Sequence, residues 1–178
     1  MTLTTTHADT ARTLISEAGI PANVRQLMTQ ATLTGNARAL VSDTLFNRLV
    51  GGVAKDHPEH ADLAERIVDQ ALVFLLACAA LPETALAPSR LVDYGWHKFI
   101  ERTMDYADTC ERLGRFIHHV PIDEPGQSGG ATVAGTAQIL RELGLPIDDE
   151  LWTGEAVCEG SGTGKCSQCH QGCVDSNK

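Results

Sequence analysis

Residues 63–81, LAERIVDQALVFLLACAAL, decide the fold. In the first half, Leu63, Ile67 and Ala71 recur at helical spacing, with charged residues on the opposite side. From 71 to 81 the segment is wholly apolar. That run is too long for an ordinary strand, and about half of the roughly 20 residues that a membrane span requires. A helix buried on every side satisfies both limits, and the rest of the chain must then supply its cover.

Working outward, each neighbouring segment reads as a helix. Pro58 opens the central one. Upstream, Asn36 is a suitable N-cap for a helix reaching residue 54, with Leu40, Val41, Leu45, Leu49 and Val50 on one side. A shorter helix begins at Pro21 and ends near 31, and a short amphipathic stretch, 9–18, is closed by Gly19. Downstream, Pro82 and Pro88 bracket a connector, and Ser89 caps a helix over 91–113. Gly114 ends or kinks it, and 115–119 add a further turn before Pro121. The stretch 122–130, IDEPGQSGG, is a loop by composition, and a last helix over 131–143 is stopped by Gly144 and Pro146. Strand signals and internal repeats are missing. The expectation is an all-α, single-domain helical bundle of five to six helices over 1–154, followed by an irregular Cys-rich tail over 155–178.

The composition is consistent with that. A chain of 178 residues that is 43% hydrophobic has room for a core, and with only 4% aromatics the core must rest on Ala, Leu, Val and Ile. The net charge of -9 opposes a nucleic-acid or anionic-membrane surface, both of which need clustered Lys and Arg. The opening MTLTTTHADTART lacks the basic start and apolar stretch of a secretion signal, so a cytoplasmic protein is expected. In that reducing compartment, clustered cysteines point to metal ligands or redox thiols before disulfides.

The helix over 91–113 carries the most chemical information. At about 100° per residue, Val92, Trp96, Phe99, Thr103, Tyr106 and Cys110 share a broad stripe that must face the core. Asp93, His97 and Met104 lie along one edge of it. Asp93 and His97, one turn apart, can reach each other at a half-buried border. Either Asp93 orients His97 through a ring N–H, or both ligate one ion with His118 or His119 completing a two-His, one-carboxylate set. A plain structural pair, with His118 and His119 capping a helix end, fits the same spacing.

The segment PSRLVDYGWHKFIERTMDYADTCERLGRFIHHVP resembles the core of the glycine-rich domain-containing protein-like family. The matching positions are Val92, Asp93, Trp96, His97, Tyr106, Cys110, Gly114 and His119, with His118 giving a bacterial-style His-His-x-Pro ending. ILRELGLPIDDELW resembles a downstream segment, so the likeness covers roughly residues 60–152. The chain departs from plant members at Phe99, where these carry a second His. The resemblance implies a site around the Asp and His positions and names no reaction.

The tail holds four of the six cysteines: Cys158, Cys166, Cys169 and Cys173, with His170 beside Cys169. Cys166 and Cys169 form a CxxC that can grip an ion from a tight turn, and Cys158 with Cys173 or His170 can complete the set. Gly160, Gly162 and Gly164 let the chain fold back. Such ligands suit zinc foremost, with copper or iron as alternatives. Rival readings are a c-type haem attachment at CSQCH, a redox dithiol, and a precursor whose Cys-rich tail is modified or processed; Gly129-Gly130 resembles a cleavage double-glycine, but its place before a helix fits a plain loop better. Cys78 and Cys110 read as buried hydrophobes. A phosphate-cradling loop, an HExxH motif and a nucleophile elbow are not found in the sequence.

The sequence therefore points to a metal-binding accessory protein with a His/Asp site on the helical domain and a thiolate site in the tail. Its partners would be a metal ion and a partner protein engaged through the tail, without nucleic acid or membrane. The alternatives are a metal-dependent enzyme using Asp93, His97, His118 and His119, and a module whose Cys-rich tail is modified.

Overall fold

A computed structural model describes residues 19–119 and 131–153. Among these residues there are six α-helices and no strand: α1 (Ala22–Thr34), α2 (Asp43–Asp56), α3 (Ala64–Ala80), α4 (Arg90–Ile100), α5 (Thr103–Leu113) and α6 (Val133–Glu142). Short 3-10 turns, Arg38–Leu40 and Pro58–His60, precede α2 and α3. The protein is thus an all-α helical bundle. The stretch 9–18, the loop at 122–130 and the whole tail, with Cys158, Cys166, Cys169, His170 and Cys173, lie outside the described residues. None of the described helices is long and apolar enough to cross a membrane.

The central segment behaves as its composition demands. From Gln70 to Ala80 every residue of α3 is buried, and α4, α2 and α1 pack around it. The closest approach is to α4. A Cβ built on Gly95 would stand 2.9 Å from the Ala71 Cβ and 2.9 Å from the Ile67 carbonyl oxygen. Only glycine lets the two backbones meet there, and that contact sets the depth of the neighbouring Asp93 and Trp96. Gln70, the polar residue inside this layer, is 3% exposed. Its side chain accepts from the Trp152 indole at 2.7 Å and from the Asp148 amide at 3.2 Å, and donates to the Pro146 carbonyl at 3.2 Å. One buried amide thereby ties the segment after α6 to the core.

Caps place the helix starts. Ser89 accepts from the Val92 amide at 3.2 Å and donates to the Leu151 carbonyl at 2.5 Å. Ser42 accepts from the Leu45 amide and starts α2. Asn36, expected in that role, instead accepts from the Arg38 amide and heads the 3-10 turn. Val41 is extended (φ -132°, ψ 167°), so the helix cannot run through it.

The expected single helix over 91–113 is two helices. Glu101 and Arg102 interrupt it, with Arg102 at φ -95° and ψ 64°. Residues ten apart on a straight helix stand about 15 Å apart along the axis. Yet the Trp96 indole N–H donates to the Tyr106 hydroxyl at 2.9 Å, so α5 must turn back beneath α4. Thr103 and Met104, expected on the core stripe and its edge, are exposed, and Thr109 is buried instead. Gly114 then closes α5 at φ 81°, and the Arg115 amide bonds back to the Cys110 carbonyl at 3.1 Å. Residues 115–119 are irregular rather than a further helical turn, and they return toward α4.

Candidate metal centre

Asp93, His97 and His119 converge. Asp93 lies in the first turn of α4, where the helix N-terminus favours a carboxylate. His97 follows one turn later on the same face, and its Nε2 stands 3.4 Å from Asp93 Oδ2. His119 arrives from the irregular segment after α5, with its Nε2 at 3.2 Å from Asp93 Oδ1 and 2.7 Å from His97 Nε2. The Asp93 and His119 side chains are 10% and 14% exposed, whereas His97 is 52% exposed. The cluster is therefore walled on the Asp93 and His119 side and open at His97.

Proton bookkeeping defines what this arrangement can hold. Each imidazole nitrogen has one in-plane direction for a proton or a lone pair. If both Nε2 atoms carry protons, two N–H groups face each other at 2.7 Å. If one carries it, that N–H donates to the other ring at 2.7 Å or to the carboxylate at 3.2–3.4 Å, and the acceptor it does not serve is left facing a lone pair. If neither does, three lone pairs converge. A single cation among the three atoms satisfies all of them. Zinc–nitrogen bonds of about 2.0–2.1 Å at tetrahedral angles place ligand atoms about 3.3 Å apart, and two of the three edges, 3.2 and 3.4 Å, fit that spacing.

His119 is held on its other face. The Trp96 ring packs against it with centroids 4.6 Å apart, and Phe74 backs Trp96 at 5.2 Å. The Tyr106 hydroxyl accepts from Trp96 and donates to the Ile117 carbonyl at 2.6 Å, two residues before His119. Burial raises the Tyr106 pKa well above its ordinary value, so the hydroxyl remains a donor. Sequence reasoning placed Trp96 and Tyr106 on the core stripe but missed their link to the site. The available signal was that a buried indole and a buried phenol each need a polar partner.

His118 lies outside the cluster, with its ring 4.7 Å from Phe116. Alternation along the irregular segment explains why: Ile117 is buried in the core, its neighbours Phe116 and His118 share the other side, and His119 turns back inward. Lys98, beside His97, turns away toward Asp56 of α2 and Glu101. Cys78 and Cys110 are buried, as expected, and burial raises the Cys110 thiol. Among the described residues, the three-residue cluster is the one group of His, Cys, Asp and Glu with metal-ligating geometry.

No curated protein and no solved structure matches the chain. A family model does match, over residues 36–131, which takes in all of α2 to α5 and the complete Asp93, His97 and His119 cluster. It is not the glycine-rich domain-containing family that the motif suggested. The eight motif positions explain that likeness: Val92, Trp96, Tyr106 and Cys110 are core, Gly114 is a left-handed helix stop, and Asp93, His97 and His119 form the cluster. Such positions report a shared local build and do not single out one lineage. The match spans more than half of the 178 residues, and the chain belongs to the UCP032817-like family.

Proposed function

We propose that the protein binds a divalent transition metal through Asp93, His97 and His119, as an accessory protein that holds the ion where solvent and partners can reach it. The observation that carries this reading is the convergence of two ring nitrogens and a carboxylate with edges of 2.7, 3.2 and 3.4 Å. Zinc is the first candidate, since imidazole and carboxylate suit it, with iron or copper as alternatives. The tail supplies a second, thiolate site from Cys158, Cys166, Cys169 and Cys173, with His170 as substitute. The spacing of the CxxC and the surrounding glycines support that part. A site on the helical domain combined with soft ligands in the tail suits transfer of an ion to a partner protein.

A specific observation favours a second reading, a metal-dependent enzyme. Structural zinc sites close their tetrahedron with four protein ligands, whereas catalytic ones keep a position open. Among the described residues three candidate ligands are gathered, and the His97 side is half exposed. In this reading the ion would supply Lewis acidity, and the chain's own part would be to orient its ligands and wall off one side.

Elemental analysis of the full chain purified without chelator tests the proposal. Two variants divide the sites: the full chain with the four tail cysteines replaced by serine, and the same chain with His119→Ala. The first should retain one equivalent of metal and the second none. Absence of metal from the first, even after incubation with zinc or cobalt(II), would sink the inner site. Equal metal content in the native chain and the serine variant would sink the tail site.

A further inference from the structure

The segment that delivers His119 is irregular, so no helix dictates its position. Its hold on the fold comes at Ile117, whose side chain is fully buried and whose main chain bonds to α5 on both sides, the amide to the Cys110 thiol. There the carbonyl accepts from the Tyr106 hydroxyl at 2.6 Å, while that hydroxyl accepts from the Trp96 indole at 2.9 Å. Tyr106 is 2% exposed and Trp96 0%. Water cannot take over either bond, so both geometries are fixed by the packing around them. The same indole ring lies against the His119 ring at 4.6 Å. Trp96 is in turn the neighbour in sequence of His97. One buried hydroxyl thus links the helix carrying two ligands to the irregular segment carrying the third.

From this linkage we infer that Tyr106 is the positioning residue of the metal centre: its hydroxyl locks Ile117, and with it His119, in register with Asp93 and His97. This deepens the proposed function and rests on it. The hydroxyl touches no ligand atom, and its effect travels through two residues of backbone and through the Trp96 ring. Partners bonded directly to a ligand are worth about 10–100-fold in metal affinity, and Tyr106, one link further out, should act at the lower end of that range. The phenyl ring contributes separately, through Phe99 at 5.2 Å and Phe116 at 5.6 Å. Tyr106→Phe preserves those contacts and removes only the hydroxyl.

The test uses the full chain with Cys158, Cys166, Cys169 and Cys173 changed to serine, titrated with cobalt(II). The readouts are the dissociation constant and the visible absorption spectrum, which reports coordination geometry. Tyr106→Phe should weaken binding by about 10-fold or more and change the spectrum. Trp152→Phe is the matched control. It also loses a buried donor, the indole bond to Gln70 at 2.7 Å, but at a position that does not touch the ligands. It should melt earlier and bind cobalt as the parent does. Both titrations are made well below the melting point of each variant. Should Tyr106→Phe not fold, Trp96→Phe takes its place, since it removes the N–H that orients the hydroxyl and keeps a ring beside His119. Unchanged affinity and spectrum in whichever variant folds would overturn the inference while leaving the metal site standing. A parent that binds no cobalt would overturn both. Equal losses in Trp152→Phe would show a general effect of destabilisation and overturn the inference as well.

Discussion

Two places in this molecule gather carboxylates around residues from distant parts of the chain, and they do so in opposite ways. In the cleft beside α3, Arg66 binds Asp148 at 2.6 and 2.8 Å and Glu150 at 2.7 Å, while Arg38 pairs with Glu65 and Arg141 with Asp149. Those four carboxylates each meet a permanent cation, while Asp69 in the same cleft accepts from the Ala37 amide instead. At the centre formed by α4 and the segment after α5, Asp93 meets two imidazoles, whose charge is conditional on a proton or a metal. In the first arrangement Arg66 fastens the chain after α6 to α3. The second gathers three donor atoms in an arrangement that could hold a metal ion. Similar proximity of charged groups therefore carries a structural meaning in one place and, under the proposed function, a binding meaning in the other.

The comparison breaks most visibly under substitution. His119→Ala should weaken metal binding beyond about 100-fold, the upper end of what loss of an outer partner costs. Asp148→Asn should leave metal binding untouched and lower the melting temperature, because it removes an acceptor from Arg66. A titration that found the two variants equally impaired would erase the distinction between the regions.

Metal itself should act on one region's variants and not on the other's. An ion at 100 times its dissociation constant stabilises a fold by about 2.7 kcal/mol. It should do so in the serine-tail chain and in Asp148→Asn, and fail to do so in His97→Ala. Thermal denaturation with zinc and with chelator reads this directly. Stabilisation that persists in His97→Ala would place the responsible ion elsewhere.

A smaller effect is expected from the contact that sets the depth of α4. Gly95→Ala introduces a methyl group 2.9 Å from the Ile67 carbonyl, a backbone atom that cannot swing aside. Overpacking of this kind costs about 1–3 kcal/mol. Because Asp93 and Trp96 flank the glycine, metal affinity should fall along with stability. Loss of stability with unchanged affinity would show that the centre tolerates displacement of α4.

How far the sequence discloses these features depends on where periodicity operates. The central helix is legible because eleven apolar residues in a row admit few other readings, and α4 is legible because Ser89 caps it. The interruption at Glu101 and Arg102 is not, since neither is Gly or Pro. Moreover Phe99 and Tyr106 are seven residues apart, and two helical turns bring them within about 20° of each other, so the core stripe runs unbroken across the bend. Asn36 and Ser42 are both good caps, and only the extended backbone at Val41 decides between them. The same limit governs the site. Asp93 and His97 are found from their spacing on a helix. His118 and His119 lie on an irregular segment, where no period says which of two adjacent rings faces inward.

The layer beneath the centre offers the mildest test of the contrast, because its polar groups are neutral. Burial raises the Cys110 thiol above its ordinary value, and its neighbour Tyr106 is raised as well. A group whose folded pKa is raised keeps its full contribution below the unfolded pKa and loses it as pH rises toward the folded one. An unfolded thiol ionises near pH 8.5, so between about pH 8.5 and 9.5 the unfolded chain sheds a proton that the folded chain retains. Stability should decline across that window, by no more than about 1.4 kcal/mol per pH unit for one thiol. Tyrosine and lysine titrate higher, so they contribute little there. Cys110→Ala should flatten the decline when chemical denaturation is followed at each pH in the serine-tail background. An identical slope in that variant would mean that the thiol is ionised as readily inside the fold as outside it, and that the floor of the centre is wetter than its packing indicates.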